Sequence, residues 1–121
     1  MVALLTLPVF ADAGNSMSDA PPAKVLFVGN SFTYYNDSLH KHYRELVSAS
    51  GLHAPETARS RIMTISGAYL PEHAGGFEDV LSGDDWDVVV MQGHSRGPIS
   101  GDTAEPFREA ARKFAHIARQ Q

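Results

Sequence analysis

A serine placed two residues beyond a short apolar run is the first group in this chain equipped for chemistry. In Lys24-Val25-Leu26-Phe27-Val28-Gly29-Asn30-Ser31-Phe32-Thr33 a β-rich run stops on Gly29 and Ser31 follows. A serine held on a tight turn at the end of a buried strand is where an α/β enzyme places a nucleophile. Its hydroxyl attacks a carbonyl only if a base removes the proton and donors receive the developing oxyanion. The other reading is an ordinary strand-to-helix turn in which Ser31 serves as the helix cap. Three residues leave both open. A nucleotide loop fits less well, because the turn lacks further glycines at dinucleotide spacing and has no Gly-Lys-Ser/Thr pair.

The elements that must hold this serine are legible in the pattern of apolar runs. Val25 to Val28 is continuous and apolar, which predicts a central strand of a parallel sheet, buried on both faces. Gly29 permits a sharp turn, and Asn30 tolerates unusual backbone angles while offering an amide. Two more runs end in polar or glycine turns: Ile62-Met63-Thr64-Ile65-Ser66-Gly67-Ala68-Tyr69-Leu70 and Trp86-Asp87-Val88-Val89-Val90-Met91-Gln92-Gly93-His94-Ser95. Both deliver their ends, Gly67 and Gln92, to the same edge of the sheet as Ser31. Open α/β sheets bind ligands at that carboxyl edge.

Helices fill the intervals. The first is expected from about Ser38 to Ser50, with Ser38 as cap, Leu39, Tyr43, Leu46 and Val47 on one face, and Gly51 as the stop. Arg59 and Arg61 alternate with Ser60 and Ile62, so one face of the second strand begins wet. Leu70 to Leu81 reads as a helix broken at Gly75-Gly76. Trp86 reads as a core plug at the bottom of the sheet. A last helix from about Thr103 carries Pro106 in its first turn and an apolar stripe of Phe107, Ala110, Ala111, Phe114, Ile117 and Ala118.

With three ordered motifs in place, the chain from about Lys24 onward resembles the SGNH hydrolase superfamily, the GDSL-type esterases and lipases. More narrowly, it is similar to the branch whose first motif reads Gly-Asn-Ser-Phe-Thr and whose third follows a Trp-Asp-Val-Val strand with a glutamine. The resemblance implies a three-layer, flavodoxin-like α/β fold with a parallel sheet. It implies that Ser31 is the nucleophile, with Asn30 standing where the commoner motif has aspartate. The backbone N–H groups of Ser31 and Gly67 would form the oxyanion hole. Gln92 stands where an asparagine is usual, and its side-chain amide would be a third donor. Such donors are commonly worth ~3 kcal/mol each.

The same resemblance exposes a departure. In the family the general base is a histidine in an Asp-x-x-His block near the carboxyl terminus, after two further strands, and no such block follows Gln92. The expectation is therefore the amino-terminal part of a hydrolase, ending after the third strand and its helix, with Val88 to Met91 left as an unpaired apolar edge. Such a site would bind an ester without necessarily turning it over.

Among the six histidines, His94 is the best substitute base, two residues after Gln92, and a loop histidine lining the pocket is the alternative. His73 is read as lining the pocket rim or as a surface residue at a helix start, and Asn30 as a further pocket-lining group. His40 and His42 are two apart, unlike the i, i+4 spacing of helical zinc motifs, so neither a metal nor a cofactor is expected.

The remaining bounds are compositional. Residues 1–23 read as an export signal and linker, from the apolar Val2 to Phe10 and the small-x-small Ala11-Asp12-Ala13, although no basic residue precedes Val2. This points to a secreted or periplasmic protein without a stable membrane span, and residues 24–121 are the folded unit. A net charge of −4 with no clustered basic stripe argues against nucleic acid. The leading expectation is hydrolysis of a carboxyl or acetyl ester, with small-molecule and carbohydrate esters both open. The alternative is a non-catalytic binding module or an inactive pseudoenzyme fragment. Oligomeric state is open.

Overall fold

A computed structural model describes residues 20–121. Three strands, β1 (Lys24–Gly29), β2 (Arg59–Thr64) and β3 (Val88–Met91), form an all-parallel open sheet in the order β2-β1-β3. That is the order of the first three strands of a flavodoxin-like, doubly wound α/β fold. The helices are α1 (Ser31–Tyr34), α2 (Leu39–Ser50), α3 (Phe77–Leu81) and α4 (Ala104–Ala118), with a 3-10 turn at Leu70–His73.

Alternation along β1 makes the three layers. Leu26 and Val28 point to one face, where they meet Leu70, Phe77, Leu81, Ala110 and Phe114. The paired residues Val89 and Met91 of β3 and Met63 of β2 share that face and pack against the same core. Phe27 points to the other face and meets Tyr43 of α2 edge to face at 5.9 Å. A strand covered on both faces needs apolar residues at every position, which is why β1 reads as an unbroken run.

Several expected details are borne out. The segment from Leu70 to Leu81 is broken near Gly75 and Gly76, Gly51 closes α2 in the left-handed region, and the apolar stripe of α4 lies against the core. Trp86 packs against the core cluster. β3 pairs with β1 alone among the described residues, leaving its outer edge open.

Others are corrected. Leu39 and Leu46 are exposed, because α2 seats on the sheet through Val47 and Tyr43. Ser38 precedes α2 without capping it, since its hydroxyl pairs with His40 Nδ1 at 2.6 Å. The second apolar run leaves the sheet at Thr64, so residues 65–69 form a loop rather than more strand. The link from α1 to α2 passes through three consecutive left-handed residues, Asn36, Asp37 and Ser38. An ion pair from Asp37 to Lys41 and a hydrogen bond from His42 Nε2 to the Asn36 carbonyl hold it. The expected signal segment falls, up to residue 19, outside the described residues.

Candidate active site at the switch point

The chain leaves β1 at Gly29 and enters α1 at Ser31, so Asn30 alone makes the turn. Asn30 is 1% exposed, and each polar group of its side chain is used. Its Oδ1 accepts the Phe32 N–H at 3.2 Å, capping α1, and its Nδ2 donates to the Ala68 carbonyl at 3.0 Å. Asn30 is thus the cap, and the reading in which Ser31 caps the helix is replaced. Asn30 is also buried structure rather than pocket lining. A short buried amide can satisfy one donor and one acceptor at once, which tolerates burial that a charged side chain would resist.

Gln92 follows β3 and reaches across to the same turn. Its Oε1 accepts the Asn30 N–H at 3.1 Å and the Thr33 hydroxyl at 2.9 Å, while its Nε2 donates to the Gly93 carbonyl. Gln92 therefore braces β3 against the serine turn, and its amide is engaged within the protein. Gly29 makes that approach feasible: a Cβ there would meet the Thr33 hydroxyl and come within 2.7 Å of Gln92 Oε1. Thr33 was not singled out from sequence, although it belongs to the Gly-Asn-Ser-Phe-Thr motif.

Three polar groups at this turn are left over. The Ser31 hydroxyl, the Ser31 N–H and the Gly67 N–H have no hydrogen-bond partner among the described residues. Gly67 lies at φ +68°, a conformation natural to glycine, and a Cβ built on it would meet open space. The Asn30–Ala68 bond and the Ile65 N–H to Gly29 carbonyl bond at 3.2 Å tie the Gly67 loop to the serine turn. The site lies where the carboxyl ends of β1 and β3 meet, the topological switch point of this strand order.

The histidines divide by what they already hold. His94 stacks on Tyr69 with ring centroids 4.5 Å apart, bridging the loops after β2 and β3. Its Nδ1 accepts the Arg96 N–H at 3.2 Å. His40, His42, His53 and His116 make hydrogen bonds to Ser38, Asn36, Pro21 and Gln120.

His73 is neither rim nor surface: it is 1% exposed, and both ring nitrogens lack a hydrogen-bond partner. The Gly29 carbonyl lies close enough to favour the charged ring but without hydrogen-bond geometry. Burial holds the His73 pKa below its ordinary 6.5, against opposing pulls from Glu72 and that carbonyl. Burial acts in the same direction on the more exposed His40, helped by Arg44 and Lys41.

A histidine that protonates more readily when unfolded draws the chain toward unfolding as pH falls below its unfolded pKa. Stability is therefore expected to fall on acidification from about pH 7.5 to about pH 5.5. His73→Leu should flatten that dependence, because an apolar replacement leaves nothing buried to be charged. Thermal midpoints of both proteins at the two pH values check this, and parallel curves would refute it.

Comparison of the chain with protein-family models, curated proteins and solved structures gives no match. Among the described residues no helix is long and apolar enough to cross a membrane. No cluster of three or more histidine or acidic side chains is placed there to hold a metal ion.

Proposed function

We propose that this chain carries the nucleophile and oxyanion portion of an SGNH-type serine ester hydrolase, exported to the periplasm or beyond the cell. Ser31 Oγ attacks the carbonyl carbon, the carbonyl electron pair moves onto oxygen, and the N–H groups of Ser31 and Gly67 receive that charge. The Oγ proton must leave with a base, and the alkoxide of the ester then departs with a proton. Gln92 serves chiefly as the brace that sets the turn, and a donor role rests on its remaining Nε2 hydrogen. The observation that carries the reading is the convergence of an unpartnered hydroxyl and two unpartnered N–H groups at the switch point.

A second reading is favoured by the histidines. None of the six is hydrogen-bonded to Ser31, and the ring best positioned in sequence, His94, is held by the Tyr69 ring and the Arg96 N–H. Without a base the same site binds a carbonyl compound and does not release product, which makes it a binding module.

Fluorophosphonate labelling followed by intact mass separates the two, with Ser31→Ala as the control. An unassisted serine should label slowly, with a rate rising about tenfold per pH unit from neutrality and no plateau near pH 7. A plateau near pH 7 would reveal a histidine base and a complete enzyme. A folded chain that takes no label at any pH supports the binding module, and equal labelling of Ser31→Ala would sink the assignment of Ser31.

A further inference from the structure

At the opposite end of the sheet, the residues opening β2 and those approaching β3 enclose a groove of about 300 Å³. Arg44 of α2, Arg59 and Arg61 of β2, and Asp84 and Trp86 line it. Its charge is uneven. Asp84, the single carboxylate in the lining, is already paired with Lys24 at 2.9 Å and with Arg59 at 3.1 Å. Arg44 and Arg61 form no ion pair or side-chain hydrogen bond among the described residues. The Arg61 guanidinium lies against Gly83, where a Cβ would stand 3.3 Å from Nη1. Two arginines outside any ion pair, Arg44 and Arg61, thus line one groove around the free edge of β2, beside Trp86, in a protein of net charge −4.

We propose that this groove binds a tetrahedral oxyanion of the phosphate or sulfate class. Guanidinium forks match such oxygens two at a time and keep their charge at any working pH. The protein's overall negative charge does not oppose this, because fields are screened within about 8 Å at physiological salt and the local balance decides. The site is separate from Ser31, which follows the other end of β1, and it stands whether or not Ser31 is active.

Trp86 is the protein's one tryptophan and lies in the lining, so its fluorescence reports directly on the groove. The intact chain is titrated with sodium phosphate and with sodium sulfate at constant ionic strength, using sodium chloride as the balancing salt. A saturable change is expected, at least about tenfold weaker in Arg61→Gln and in Arg44→Gln, with thermal midpoints unchanged. Phosphate binding that strengthens from about pH 6 to about pH 8, beside flat sulfate binding, would show that the dianion is recognised. Saturation by one anion alone would name the ligand within the class. A response that follows ionic strength only, or that both arginine variants retain in full, overturns the proposal.

Discussion

Asn30→Ala is expected to destabilise the protein by roughly 2–4 kcal/mol, the sum of a lost helix cap and an orphaned buried carbonyl. The Ala68 carbonyl loses the donor that reaches it from Asn30 Nδ2, and the Phe32 N–H loses its cap. The same deletion should suppress fluorophosphonate labelling even at temperatures where the chain stays folded. The bond to Ala68 is what holds the Gly67 loop beside Ser31, and a small misplacement of donors costs much of a rate. Asn30→Asp separates the two contributions: it keeps an acceptor for Phe32 N–H at a helix N-terminus and sets a carboxylate against the Ala68 carbonyl. It should restore the cap and not the loop. Denaturant midpoints together with labelling rates decide, and an Asn30→Ala protein that unfolds at the wild-type midpoint would show that these bonds carry no net stability.

Phe114→Ala should remove about 4 kcal/mol, within the range for deleting a fully buried phenyl ring. Phe114 stacks on Phe77 with centroids 4.4 Å apart, and both are almost wholly buried. It joins α4 to α3 and to the 3-10 turn, and no polar contact would compensate for the cavity. Small domains hold only about 5–15 kcal/mol in reserve, so this one change should remove a large share of the stability. The effect should reach the site as well. Phe107 of the same helix lies over Gly93 and Gly97, where a Cβ would come within 2.8 Å and 3.3 Å of its ring. A loosened α4 therefore frees the loop that carries Gln92 and His94. Chemical denaturation measures the first effect, and loss of Ser31 labelling in the residual folded fraction measures the second. A shift of less than about 1 kcal/mol would mean that the core closes over the gap.

Much of the architecture was legible because burial writes itself into composition. A strand buried on both faces must be apolar throughout, and Val25 to Val28 is. A helix buried on one face must repeat near 3.6 residues, as α4 does from Phe107 to Ala118. Where burial was partial the pattern misled: Leu39 and Leu46 keep the spacing of a core face and stand exposed, since helix α2 rests on a small sheet through few side chains. The second apolar run overshot its strand for a similar reason. Pairing with β1 ends at Gly29, so β2 has no partner to follow beyond Thr64.

Residue order alone places a serine at the end of a central strand, with a glycine loop and a glutamine delivered to the same edge. Those placements follow from local rules of turn chemistry and hydrophobic runs, which need no knowledge of distant residues. How each polar atom is used depends instead on packing between distant segments. Asn30 was spent on Ala68 and Phe32, Gln92 on Asn30 and Thr33, and His73 was sealed into the interior with its nitrogens unpartnered. A hydrogen bond depends on angles and on tenths of an ångström between residues as many as 62 positions apart. Residue identity states what a side chain can donate or accept, and the packed neighbours choose which of those capacities is taken up and which is left for a ligand.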